Sequence, residues 1–207
     1  MVKQAFIDTL KEGLEPHGFK YQSSKSQFSK KAGNREFLYR VEVSNGHCDI
    51  YLKILLPEVE AIKKAAWGSN YERFASVGDN LLNIARDRPL MHFWDDAAAK
   101  ERAQSEVEFF NSFVLDYYAK HSDTAYLDRL LNDTPGEHPN VCYNELDSAC
   151  LGLVVAYLHR RERLEEQIEL YLARLIPMCR KMRETQDINH LDEFERLAAY
   201  LRKEAAA

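Results

Sequence analysis

Between Phe37 and Leu56 polar and apolar residues alternate in two runs, FLYRVEVS and HCDIYLKILL, separated by Asn45-Gly46. A period of two predicts half-buried strands. Asn-Gly supplies the two positive-φ residues that a two-residue hairpin turn requires. The register follows: Val43 opposes Cys48, Val41 opposes Ile50, Tyr39 opposes Leu52 and Phe37 opposes Ile54. All eight share one face, so a slip of one residue would turn them into water. The other face carries Arg40, Glu42, Asp49 and Lys53, with Leu38, Tyr51 and Leu55 among them. It is half wetted and open either to self-association or to the C-terminal helices.

Upstream, Phe6, Leu10 and Leu14 recur every four residues with Ile7 beside them, which predicts an amphipathic helix over 2–15 stopped by Pro16 and Gly18. Phe19-Lys20-Tyr21 and Gln27-Phe28-Ser29-Lys30 read as two short strands, and Gly33-Asn34 leads into the hairpin. Four strands on short loops make an antiparallel meander whose apolar face needs a helical cover. Pro57 opens PEVEAIKKAAW as a helix. Phe74 to Val77 and His92-Phe93-Trp94 are expected as further short strands, with Asp95 or Asp96 capping the next helix.

That helix, 96–119, carries the stripe Ala103, Val107, Phe110, Val114, Tyr117, widened by Phe109, Phe113 and Tyr118. Ser122 or Asp123 caps a short helix through Leu127 and Leu131, and NDTPGEHPN at 132–140 has the composition of a boundary loop. Beyond it the pattern is purely helical. Leu146, Cys150, Leu153, Val154 and Tyr157 stripe one helix and Leu164, Ile168, Tyr171, Leu172 and Leu175 the next; Pro177 ends or kinks the pair, and Leu191 to Leu201 repeats the theme. One such hairpin resembles a tetratricopeptide unit, but no second copy recurs at a fixed period, which argues against a solenoid. The expected fold class is α+β. An antiparallel sheet of about four to six strands covered by helices occupies 1–132, and an all-helical extension follows over 141–207.

Composition adds bounds. The chain of 207 residues is 45% hydrophobic and 29% charged, as for an ordinary globular protein. No apolar run approaches the roughly 20 residues of a membrane span, and the N-terminal helix lacks an apolar signal core, so a cytoplasmic location without a membrane partner is expected. Cys48, Cys142, Cys150 and Cys179 form no CxxC pair and read as reduced thiols. The net charge of −5 hides an asymmetry, +3 over residues 1–56 and −8 over the remainder. That pattern permits an anionic partner without requiring one.

Candidate chemistry is sparse. Glu137, His138, Cys142 and Cys150 have zinc-ligand chemistry without the paired short spacings of a structural site, so neither metal nor cofactor is expected. His121-Ser122-Asp123 cannot form a triad, because triad members converge from separate elements. No nucleophile elbow, Walker loop, dinucleotide glycine pattern or HExxH motif is present. Asp95-Asp96 beside Trp94 could hold a raised carboxyl pKa, against the simpler reading of a helix N-terminus. No catalytic residue is therefore assigned, and an enzyme site would be sought at His92, Trp94, Asp95, Glu137 and His138. Lys20, Lys25, Lys30, Lys31 and Arg35 are candidate anion contacts, with Arg40 beyond them and Glu36 the single acid between. Tyr21, Phe28 and Tyr39 interleave with them, as in a single-stranded nucleic-acid platform. The hairpin register removes Tyr39 and Phe28 to the core face, so nucleic acid is not the expected partner.

The opening helix with Phe6 and Leu10, then Gly18-Phe19-Lys20, Phe28, the strand with Val41 and Val43, Ile50, Ser76-Val77-Gly78, Trp94 and the helix ending near Tyr118 resemble the bacterial domain-of-unknown-function 4304 family over residues 1–132. The resemblance implies a helix-covered antiparallel sheet in a small cytosolic protein, in some settings with a toxin-immunity role, and carries no catalytic residues. The expected function is a cytosolic protein-binding module, in its sharpest form an immunity-type protein that covers and blocks a toxin. An enzyme with a site between sheet and helices, or a weak nucleic-acid binder through 20–40, is the alternative.

Overall fold

A computed structural model of the chain describes residues 2–44, 47–68, 76–137, 141–186 and 191–207. The fold is α+β, an open antiparallel sheet accompanied by helices. Contacts gather into two units, one of residues 1–55 and 78–122, the other of 56–77 and 123–207.

In the first unit α1 (Val2–Leu14) precedes β1 (Lys20–Gln22), β2 (Gln27–Ala32), β3 (Arg35–Ser44) and β4 (His47–Leu55), which pair consecutively and antiparallel. The expected register is observed: Val43 pairs Cys48, Val41 pairs Ile50, Tyr39 pairs Leu52 and Phe37 pairs Ile54. Asn45 and Gly46 themselves lie outside the described residues. Two short strands share the outer edge of β4: β6 (Met91–His92) at its start and β5 (Val77–Asn80) further along. The strand expected at Phe74 to Val77 is thus displaced to Val77–Asn80, and Phe74 lies outside the described residues. Gly78, which breaks the sequence pattern, is what admits the strand. Its φ is +139°, and a Cβ there would overlap Leu52 O and stand 2.8 Å from Lys53 Cα.

The apolar face of this sheet is roofed by α1 and by a continuous helical run of α4 (Asp96–Phe109), a π turn (Phe110–Val114) and α5 (Leu115–His121). Phe110 meets Phe19 and Tyr39 edge-on at 5.2 and 5.5 Å, Phe37 meets Tyr118 at 5.2 Å, and the Tyr118 hydroxyl donates to Leu38 O at 2.7 Å. The one-turn α3 (Leu81–Ile84) is capped by Asn80, whose Oδ1 accepts from Leu82 N–H at 2.9 Å.

In the second unit α2 (Pro57–Trp67) and α6 (Thr124–Asn132) belong with α7 (Glu145–His159), α8 (Leu164–Gln186) and α9 (Leu191–Ala206). Asp123, not Ser122, caps α6 by accepting from Ala125 N–H at 2.9 Å. α7 is the spine of this unit, with every residue from Ser148 to Ala156 buried. Trp67 ties α2 to α9 by donating its indole N–H to Glu193 O at 2.9 Å. α8 runs through Pro177 without ending there.

Candidate functional site

The alternation of His92, Phe93 and Trp94 decides what the chain displays between β6 and α4. Phe93 is buried and stacks on Phe6 at 5.0 Å. Burial of the middle residue sends its two neighbours outward. Trp94 is 78% exposed and Leu90, just before β6, is 56% exposed. The Trp94 ring lies nearly parallel to that of His92, centres 6.2 Å apart.

Register places a second imidazole against His92. β6 pairs antiparallel with the start of β4, so His47 opposes His92 and Cys48 opposes Met91. The two imidazole centres are 5.1 Å apart. Asp49, two residues along β4 and therefore on the same face, sets Oδ2 3.2 Å from His47 Nε2. Its Oδ1 accepts from Asn80 Nδ2 at 3.3 Å. β4 thus contributes two polar groups, His47 and Asp49, and β6 and β5 one each, His92 and Asn80.

Of the residues singled out in the sequence, His92, Trp94 and Asp95 follow one another here. Asp95 is the cap of α4: its Oδ1 accepts from Ala98 N–H at 2.8 Å. Glu137 is exposed in the second unit, where its backbone N–H donates to Thr134 O at 3.2 Å, and His138 lies outside the described residues.

The basic set is divided by the pleat. Lys20 and Lys31 pair with Ser29 and Glu36 on the face opposite Phe28, whereas Lys30 and Arg35 pair with Phe37 and Ala32 on the face of Phe28 and Tyr39. Lys30 Nζ stands 5.8 Å over the Phe19 ring. Lys25, between β1 and β2, lines an open depression of about 520 Å³ with Lys3, Gln27, Arg40 and Glu42. Arg40 is paired to Glu42 there at 2.6 Å, which offsets part of the positive charge. Phe28 and Tyr39 are fully buried, so they offer no stacking surface to a base.

Two buried polar centres have no counterpart in the sequence reading. In the first unit Glu106 is almost fully buried on α4, accepts the Tyr39 hydroxyl at 3.1 Å, and receives both terminal nitrogens of Arg88. Arg88 in turn lies 3.9 Å over the Phe109 ring. Burial pushes the Tyr39 hydroxyl far above its ordinary value and the Cys48 thiol up to about 12. A thiol held protonated is no nucleophile at neutral pH. Periodicity offers one signal: Glu106 falls between Ala103 and Val107 on the apolar stripe. Arg88, in an irregular segment, offers none.

In the second unit Arg160 bridges Asp128 and Asp133 at 2.6 and 2.8 Å, and Asn132 donates to Asp128 Oδ1 and Gly152 O at 2.8 and 2.9 Å. The Tyr171 hydroxyl reaches Leu131 O at 3.0 Å and Asn132 Oδ1 at 2.9 Å. In both centres donors and acceptors are spent on one another, which makes them structural.

Among the described residues no group of three or more His, Cys, Asp or Glu is placed to hold a metal ion, and all four cysteines are buried thiols outside any disulfide. No described helix is long and apolar enough to cross a membrane. No family model, curated protein or solved structure matches the chain.

Proposed function

We propose that the chain is a protein-binding module that docks its partner at the corner of β4 and β6, with Trp94 as the anchor. The exposure of Trp94 carries this reading. A tryptophan left 78% in water, four residues after an exposed Leu90, is a large apolar surface with no role in the core. Tryptophan is also the residue type most enriched among the few that dominate interface energetics. His92 stacked behind the indole limits its rotamers, so less side-chain entropy is lost on docking.

The partner fitted to this corner is a protein with an apolar socket rimmed by lysine or arginine. Asp95 and Asp96 are exposed directly after Trp94, Asp49 is half-exposed nearby, and the chain carries a net charge of −5. Such charge speeds encounter with a basic surface and rejects acidic ones. A basic toxin, for example a nuclease blocked by having its surface covered, is the specific form of this reading.

Parallel affinity capture with the wild-type chain and Trp94→Ala identifies the partner, and titration of the purified pair tests the site. The expected result is at least a thirtyfold loss of affinity in Trp94→Ala, as for an interface hot spot. A purified partner that binds both chains equally rules out the corner as the docking surface.

A further inference from the structure

His47 and His92 oppose one another across β4 and β6 with their imidazole centres 5.1 Å apart, and we propose that they form a two-nitrogen chelate for a late first-row divalent cation, zinc or copper(II), with water completing its shell. Spacing is the first argument. Two imidazoles bound to one tetrahedral ion at about 2.0–2.1 Å hold their ring centres about 5 Å apart. The centres of His47 and His92 are 5.1 Å apart, tilted by 42°.

The protonation pattern is the second. Asp49 Oδ2 lies 3.2 Å from His47 Nε2, close enough for its charge to favour the tautomer with the hydrogen on that nitrogen. The neutral ring then carries its lone pair on Nδ1. That nitrogen is buried and has no hydrogen-bond partner in the protein. A carboxylate behind a histidine, holding the tautomer and raising ligand basicity, is the outer-shell arrangement of metal-binding imidazoles. Asn80 holds the other oxygen of Asp49, so the carboxylate is itself oriented.

Preorganisation is the third argument. Both histidines are fixed by the backbone pairing of β4 with β6, opposite one another in register. With two protein ligands the ion is exchangeable, unlike one in the closed four-ligand sites that hold structural zinc. Imidazole donors bind copper(II) more tightly than zinc. A bound ion staples β6, only two residues long, to β4.

Trp94 reports on the ion, because it stacks against His92. Titration of the full chain with copper(II) is expected to quench tryptophan emission saturably at one equivalent, with micromolar affinity, and a large excess of zinc is expected to reverse the quenching by competition. Trp94→Phe should remove most of the quenching while calorimetry still counts one bound ion. His92→Ala and His92→Gln should each abolish the one-equivalent binding, with circular dichroism confirming the fold. Asp49→Asn should weaken it about ten- to a hundredfold. Wild-type affinity and stoichiometry in both His92 variants, or no saturable binding by the wild type, overturns the proposal. An unchanged Asp49→Asn overturns the role given to the carboxylate.

Discussion

Partly buried Arg88 and fully buried Glu106 form an ion pair in which both terminal guanidinium nitrogens reach the carboxylate, with the Tyr39 hydroxyl on the same oxygen at 3.1 Å as one of them. Arg88 joins the segment after α3 to the face of α4 that covers the sheet. A buried pair of this kind is a weak source of net stability, yet costly to break from one side. Glu106→Ala is expected to lose about 2–3 kcal/mol, because the Tyr39 hydroxyl is left buried without an acceptor and the partly buried Arg88 charge without its partner. The double variant Arg88→Met with Glu106→Leu should recover most of that loss. Urea unfolding of the two single variants and the double variant measures the coupling.

Alkaline pH acts through the thiols. Burial raises Cys48 and Cys150 from 9.0 to about 12. Above pH 9 the unfolded chain releases protons that the folded chain keeps, so the unfolded state binds fewer and stability falls as pH rises. Their contribution is complete below pH 9 and is lost progressively as pH climbs toward 12. Urea midpoints should therefore drop as pH rises from about 9 to about 11. Cys48→Ala combined with Cys150→Ala should flatten part of that slope, leaving the share of the buried Tyr39 and Tyr118, whose hydroxyls are also raised by desolvation.

Gln167 is fully buried in α8, and neither its Oε1 nor its Nε2 has a hydrogen-bond partner. An amide buried without partners costs about 1–3 kcal/mol. Gln167→Met keeps the length and flexibility of the side chain and removes the polar atoms. Thermal unfolding of Gln167→Met is expected to show a gain of about 1–2 kcal/mol, and a loss would place a hydrogen-bonding role on this residue.

Alternation from Phe37 to Leu55 settled the central hairpin, because only one register puts eight apolar side chains on one face; the paired residues are those expected. The helical stripes were equally plain. Phe6, Leu10, Phe110, Val114, Leu153, Ile168 and Leu197 are all fully buried. A cap at Asp95 or Asp96 followed from their place ahead of an apolar-periodic run, and the structure selects Asp95. Each of these rests on neighbours within a few residues, where period and capping act directly.

Other features depended on residues far apart in the chain. Tyr39 and Glu106 are 67 positions apart, and no local pattern reveals that they share a hydrogen bond. Gly78 reads as a break until the backbone of Leu52 and Lys53 is seen to occupy the space of its missing side chain. His47 and His92 become partners only because β6 returns to the start of β4. The sequence by itself determined which faces are apolar and where elements begin, since those follow from spacing along one backbone. Which polar groups are buried together, and which imidazoles meet, was decided only by tertiary structure, because those encounters depend on which distant segments the core draws side by side.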